Sequence, residues 1–397
     1  MSQDGRSFSP FNPQGPVQHD YFVGRKNILD RIRRHAEQAF QGKTTILYLG
    51  GLKGIGKTSL AMMSRLIFER ELDAFGFHLF MEGESGPRNA LDFAVATVEK
   101  IINVKSSESR TRQVIHEIFD NLILEAKIGG VSIQKKELSS KAPDDPSKFL
   151  SFARKIHDQL HKDRDTQGCA LIFDELDSLC SKRFFVDFLK GISDQAATDK
   201  DPSNLLILLC GTQEKYYSMQ QLEHRIGQII ELIEVDNLKR EDVDEFYTRS
   251  FGYLGKELTQ KALDELILFA DGKPQLMHLL GQETYFSCSD RIQVDITEVH
   301  YGIRNASELR LKLIPTSERL NILNNENYTK ILQSLRELAI DQEFDEKDIL
   351  DRIGHENAEH LNSFLSKLNT LGLAQHDASN TRWKFTDRLV SIWFQSQ

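Results

Sequence analysis

Ile46–Met63 reads ILYLGGLKGIGKTSLAMM, and this stretch decides the fold. An apolar run stops at a glycine-rich turn, and a Lys-Thr pair then opens a segment of helix formers. Gly51–Thr58, GLKGIGKT, fits the spacing G-x-x-x-x-G-K-[ST] at every position. Glycines there let the backbone curl so that its N–H groups face phosphate oxygens. The expected cradle is Gly51, Gly54, Ile55, Gly56, Lys57, Thr58 and Ser59. Lys57 would meet the β- and γ-phosphates, and the Thr58 hydroxyl would sit on Mg²⁺.

A second stretch lies downstream in CALIFDELDSL, Cys169–Leu179. Apolar residues lead into Asp174 and Glu175 at the carboxyl end of a strand, where ligands bind in parallel sheets. Asp174 would hold Mg²⁺ through water, and Glu175 would orient or polarise the attacking water. Asp177 reads either as a supporting carboxylate or as a helix N-cap, with the cap slightly preferred. A third stretch, NLLILLCGTQEKYY, spans Asn204–Tyr217. Its strand is expected between the phosphate-loop strand and the Asp174 strand. Thr212 or Gln213 would then sense a γ-phosphate, or Thr212 would simply cap a helix.

Around these stretches, short apolar runs alternate with helical patterns at 24–40, 57–71, 89–102, 112–124, 149–160, 184–192 and up to about 224. That alternation predicts an α/β fold, a parallel sheet covered by helices on both faces. Two alternating runs joined at Gly129-Gly130 predict a β-hairpin near 124–139, and Pro143–Ser147 reads as a linker. After Val235 the pattern is helical, at 238–252, 258–270, 274–286 and 296–311, with no strand signal. A polar break at 315–328 precedes helices at 328–339, 346–353 and 358–371 and two short runs flanking 377–380. Three helices and a terminal hairpin make a winged-helix outline. The expected division is a mobile arm at 1–19, a phosphate-loop domain at 20–236, a helical lid at 237–312 and a winged helix at 325–397.

Composition sets limits on function. The chain has 397 residues, 40% hydrophobic and 27% charged, an ordinary balance for a globular chain. A net charge of −9 and a pI near 5.8 give no overall pull toward nucleic acid or anionic membrane. Apolar runs such as Leu205–Cys210 are too short to span a bilayer, and the first residues carry no leader pattern, so a cytoplasmic location is expected. Four scattered cysteines, Cys169, Cys180, Cys210 and Cys288, read as free thiols rather than disulfides or zinc ligands. The 12 histidines are dispersed, and no second catalytic constellation stands out.

The order DYFVGRKNIL (Asp20–Leu29), phosphate loop, LIFDE, LLCGT, LEHRIGQ (Leu222–Gln228) and DGKPQLMHLLG (Asp271–Gly281) resembles the AAA+ ATPases. The likeness runs from Asp20 to about Phe286 and is nearest to the origin-recognition initiators and the STAND-type signalling ATPases. It implies ATP as the nucleotide, with Phe22 and Val23 in Tyr21–Arg25 helping to wrap the adenine. The hairpin insertion also resembles that of the STAND group. Arg225 stands where initiators carry an arginine that reaches a neighbouring subunit's nucleotide; its plain alternative is a surface salt bridge. Many AAA+ proteins carry a helix-borne arginine near 273, and this chain departs from them. Lys273-Pro274 resembles the Gly-x-Pro element of STAND proteins, or is an exposed lysine before a helix-opening proline.

With ATP and Mg²⁺ expected, two classes of function compete. One is a switch that self-associates or acts on a partner protein with nucleotide state; STAND-like and initiator-like ATPases often sit beside effectors in defence or mobile-element systems. The other is a DNA-acting ATPase that contacts duplex through its winged helix or a ring interior. Residues 327–397 hold eight Lys/Arg against eleven Asp/Glu. The expected recognition helix, Asn357–Leu373, offers only Lys367 against Glu359, and the wing offers Arg382 and Lys384. A duplex-binding face is normally basic, so the switch is the preferred reading. Lys135-Lys136 on the hairpin would serve a ring, or merely guard a sheet edge. No membrane partner is expected.

Overall fold

The computed structural model describes residues 10–81, 86–102, 143–288, 291–312, 314–338, 343–377 and 382–396. The expected hairpin at 124–139, with Lys135 and Lys136, and the helix at 112–124 lie outside them. The chain divides into two compact units, Arg25–Asp236 and the remainder, Asn237–Gln397 with residues up to Gly24.

In the first unit the elements run α1 (Lys26–Phe40), β1 (Thr45–Gly50), α2 (Lys57–Glu71), β2 (Ala74–Phe80), α3 (Ala90–Ile102) and α4 (Pro146–Arg164). Then follow β3 (Gly168–Asp174), α5 (Arg183–Thr198), β4 (Leu205–Gly211), α6 (Gln213–Leu222), the short α7 (Ile226–Ile229) and β5 (Ile230–Glu234). The five strands form one parallel sheet in the order β2-β3-β4-β1-β5. The Thr212 strand therefore lies between the phosphate-loop strand and the Asp174 strand, as its place in the sequence predicts.

Every residue of β3 and β4 is buried because both faces of the sheet are covered. Leu171, Phe173, Ile207 and Leu209 face α3, α4 and α5, where Phe93, Phe149, Phe185 and Phe188 pack. α1 and α2 lie against the strands as well, with Ala36, Phe40, Leu60 and Phe68 buried. The expected linker at 143–147 instead opens α4. Asp145 accepts the Lys148 N–H at 2.9 Å and Pro146 takes the first helical turn, where a missing N–H costs nothing. α1 starts at Lys26 rather than Gly24, since Gly24 and Arg25 both have left-handed φ, +66° and +62°.

The second unit contains α8 (Arg240–Tyr253), β6 (Glu257–Leu258), α9 (Gln260–Ala270), α10 (Pro274–Ser287), β7 (Gln293–Val294) and α11 (Ile296–Lys312). After them come α12 (Thr316–Leu323), α13 (Thr329–Arg336), α14 (Glu346–Ile353), α15 (Ala358–Thr370), β8 (Ala374–Asp377), β9 (Arg382–Phe385) and α16 (Arg388–Ser396). β6 and β7 pair in parallel, which corrects the expectation of a purely helical region; two-residue strands are too short to show a period of two. α12 occupies the expected polar break. Ile322 is its one buried apolar residue, so no helical stripe was visible.

α16 had no sequence expectation. Asp387 opens it, accepting the Val390 N–H at 3.1 Å and the Arg310 Nε at 3.1 Å while buried. Leu389 joins the core built from α8–α11, and Val390, Trp393 and Phe394 join the core of α13–α15. This helix thus contributes to both cores of the unit. β8 and β9 pair as the predicted hairpin, and Phe344 bridges to Trp383 to extend it.

The described part of the segment expected as an arm packs through Phe11. Phe11 is buried at 4% exposure, its ring 6.0 Å from Phe246 and 5.3 Å from Phe251. Beside it the Asn12 N–H donates to His278 Nδ1 at 3.1 Å. Burial pushes the His278 imidazole down to about 4, which keeps that nitrogen an acceptor at neutral pH. Gly281 makes room, because a Cβ there would run into the Phe11 ring. Gly281→Ala should therefore expel Phe11 and cost about 1–3 kcal/mol. Chemical denaturation with proteolysis mapped near residue 11 checks this; unchanged stability with an equally protected N-terminal segment would contradict the packing.

Candidate functional site

The site begins where β1 ends. The Val235 N–H donates to Gly50 O at 2.8 Å, which fixes the strand's last residue. A Cβ on Gly51 would lie 2.7 Å from Val235 O, so the loop must start with glycine. Gly54 and Gly56 then turn the chain through φ of +78° and +95°, conformations open to glycine at little cost. α2 opens at Lys57, and its first hydrogen bond runs from the Leu60 N–H to Gly56 O. The N–H groups at the head of such a helix have no intrahelical acceptor and carry positive partial charge, a seat for phosphate.

Lys57 reaches back across the loop, donating to Gly51 O and Leu52 O at 2.9 Å each. Burial pushes its ammonium below the usual lysine value; the Asp177 carboxylate is the largest influence the other way, ahead of Cys210 and Asp174. Asp174, the last residue of β3, and Asp177 beyond it therefore both lie within electrostatic reach of the lysine. On the outer side of the loop, Arg25 donates to Ile55 O at 2.9 Å. A loop that turns its N–H groups inward leaves carbonyls outward, and this guanidinium satisfies one of them.

Asp174 ends β3 and is 2% exposed. Its Oδ1 accepts the Glu175 N–H at 2.9 Å, and its Oδ2 lies 3.2 Å from His78 Nε2. Glu175 is exposed and sits at φ +59°, a strained conformation for a residue with a side chain, of the kind that gathers at functional sites. His78 was not anticipated. It stands on β2, beside β3, with a side chain 5% exposed and its ring stacked 4.6 Å from Phe80. A lone polar residue in the apolar strand AFGFHLF was the available signal.

Asp177 caps no helix, since α5 begins only at Arg183; its Oδ1 accepts the Thr212 N–H at 3.0 Å. Thr212 does occupy the N-cap position of α6, yet its hydroxyl makes no capping bond. Gln213 is drawn aside, donating to Glu234 at 2.6 Å and to the Tyr217 hydroxyl at 3.3 Å. Arg225 pairs with Asp194 at 2.9 Å, both side chains about half exposed. Phe22 and Val23 belong to the second unit, where Val23 is buried among α8–α11 residues. Lys273, also there, donates to Thr386 O at 2.8 Å and pairs with Asp271 at 3.1 Å, while Pro274 opens α10.

The donor set fits magnesium. Thr58 and Asp174 offer hard oxygens, and no group of three His, Cys, Asp or Glu that would form a protein cage occurs among the described residues. Mg²⁺ binds in that manner, through one or two protein oxygens with water and phosphate completing its shell. Cys169, Cys180 and Cys210 are buried free thiols, the first two pushed up to about 12 by burial, and Cys288 is free and half-buried. No described helix is long and apolar enough to cross a membrane. Arg25→Ala should loosen the phosphate loop and weaken ADP binding by about 10- to 150-fold, the range for a charge-assisted hydrogen bond. A fluorescent-ADP titration reads this, and undiminished affinity would mean that the loop holds its shape unaided.

Comparison with known proteins agrees with this geometry. The chain matches the AAA ATPase domain family over residues 21–219. No curated protein sequence matches it. Among solved structures it is similar to a Walker-type ATPase of Pyrococcus abyssi, with TM-score 0.58 and 16% identity over 97% of this chain and 99% of that one. It is likewise similar to the Aeropyrum pernix ORC2 protein in ADPNP–ADP complexes, with TM-score 0.56 and 13% identity over 98% and 94%. A glycine-turned phosphate loop, an Asp-Glu pair one strand away and a family match over half the chain give one conclusion: the chain belongs to the AAA ATPase domain family, with a P-loop AAA+ fold.

Proposed function

We propose that this protein is an ATP-driven switch of the STAND-like kind, whose nucleotide state changes its conformation or assembly and so controls a partner protein. The triphosphate would rest on the loop Gly51–Gly56 and the head of α2, with Lys57 on its β- and γ-phosphates. Thr58 and Asp174 would hold Mg²⁺, which supplies charge neutralisation at the phosphates. Glu175 would orient the attacking water, and its exposed position at the end of β3 supports that role. Of Thr212 and Gln213, Thr212 is the better γ-phosphate sensor, because Gln213 is engaged by Glu234 and Tyr217. Arg225 would act on the nucleotide of a neighbouring copy after leaving Asp194. Nucleotide in the Aeropyrum pernix relative supports the same ligand class here. Phe22, Val23 and Lys273-Pro274 are assigned to nucleotide by the resemblance to STAND proteins alone, and the polar reach of Lys273 is spent on Thr386 and Asp271.

The observation that favours a protein-directed switch over a DNA-acting ATPase is the pairing of Lys367. We read α13–α15 with the β8–β9 hairpin as a winged helix. The one cation of its recognition helix, Lys367, lies 2.8 Å from Glu318 and is only 20% exposed. On the wing, Arg382 lies 4.0 Å from Glu343. Two of the three cations named on the helix and wing are thus engaged by carboxylates of the same chain, Lys384 on β9 is exposed, and the module is acidic overall.

Lys57→Ala should abolish ATP binding. Glu175→Gln should bind ATP normally and hydrolyse it about a hundredfold more slowly or worse. Equilibrium binding with single-turnover hydrolysis separates the two, and wild-type turnover by Glu175→Gln would refute the catalytic assignment. Duplex binding titrated against salt, with and without ATP, should be absent or insensitive to salt. ATP-dependent affinity falling by about 0.9 log unit per log salt for each phosphate contacted would instead restore the DNA-acting reading.

A further inference from the structure

Both backbone polar groups of Thr212 are held by side chains from other elements. Its N–H donates to Asp177 Oδ1 at 3.0 Å, and its carbonyl accepts from the Tyr48 hydroxyl at 2.9 Å. Tyr48 stands on β1, wholly buried, with its ring 5.3 Å from Tyr216. Asp177 lies three residues beyond Asp174, in a turn closed by Leu179 N–H and Cys180 N–H bonds to Leu176 O. Gly211 permits the arrangement, since a Cβ there would run into the Tyr48 hydroxyl and lie 3.1 Å from Asp177 Oδ1. Neither peptide plane at Thr212 can therefore rotate without breaking its bond to Asp177 or to Tyr48.

This clamp also accounts for an unusual N-cap. Thr212 holds the cap position of α6, but its side chain does not bond the helix. With the peptide fixed from outside, the hydroxyl is released for another acceptor. Asp177 sits near enough to Lys57 to be the main carboxylate influence on it, so the clamp and the phosphate seat share one corner of the site.

We infer that Asp177, together with Tyr48, is a positioning residue of the ATPase, fixing the Thr212 peptide so that the Thr212 hydroxyl reaches a γ-phosphate. The inference rests on the proposed ATPase reading with Thr212 as sensor, and Asp177 itself touches no reacting atom.

The test uses the full chain and the variants Asp177→Ala, Asp177→Asn and Tyr48→Phe. Affinities for ADP and for ADPNP are measured with kcat and KM for ATP. In Asp177→Ala the ADP affinity should stay within about twofold, since ADP has no γ-phosphate and one lost hydrogen bond elsewhere is worth little to it. The preference for ADPNP over ADP, and kcat, should each fall by about three- to tenfold, the range for one hydrogen bond. Asp177→Asn keeps an oxygen for the Thr212 N–H and should recover most of the loss. Tyr48→Phe, which preserves the ring, should reproduce it.

Equal weakening of ADP and ADPNP in Asp177→Ala, or no change in preference and kcat, would overturn the inference. An Asn variant as impaired as the Ala variant would also overturn it, assigning the effect to negative charge near Lys57. Wild-type protein that binds neither nucleotide would remove the ATPase reading, and this inference with it. Normal wild-type hydrolysis with an unselective Asp177→Ala defect would remove the inference alone.

Discussion

Two glycines in left-handed conformation, at the end of a strand buried by its neighbours, are the constraint on which this molecule depends. Only at Gly54 and Gly56 does the chain turn sharply enough to deliver Lys57 to the first position of α2. Gly51 leaves no room for a Cβ beside Val235, and Gly50 is tied to Val235 by a backbone bond. The loop is thus strung between β1 and the end of β5, with Arg25 bonded to its Ile55 carbonyl. Side chains at the glycine positions would put strain where N–H groups must converge, and the site would lose its anion seat.

Sheet order does the rest of the assembly. With β4 between β1 and β3, the residues after each strand emerge side by side at one edge. Asp174 and Glu175, Thr212 and Lys57 are separated by many residues in the chain but belong to adjacent strand ends. The buried faces that enforce this order are apolar and wide, and they stabilise the unit far more than any polar contact at the site does. Functional strain can then be tolerated. Glu175 stands at positive φ with its N–H bonded to Asp174.

The second unit is organised on different terms. Its two cores are joined by α16, and the ion pair of Asp387 with Arg310 locks that helix at its start. Burying a carboxylate is costly unless it is paired and hydrogen-bonded, and Asp387 has both kinds of partner. The N-terminal segment enters the same unit through Phe11, so residues far apart in the chain contribute to one core. On the hairpin Arg382 lies 4.0 Å from Glu343, and on α15 Lys367 lies 2.8 Å from Glu318.

The phosphate loop, the Asp-Glu pair and the α/β alternation were legible in the residues because each depends on local chemistry: φ permitted to glycine, apolar runs buried on both faces, acids at a strand's carboxyl end. The order of β1, β3 and β4 was expected from the succession of those runs along the chain. Features of weak or purely long-range signal were not legible. α12 has one buried apolar residue, β6 and β7 have two residues each, and α4 begins in a stretch whose Pro and Asp resemble a linker as much as a helix start. The partners of Asp177, His78 and Lys273 were decided only by tertiary structure, since Thr212 N–H, Asp174 and Thr386 O lie 35, 96 and 113 residues away. A side chain's type states what it can bond, but only packing decides which group is brought within 3 Å of it.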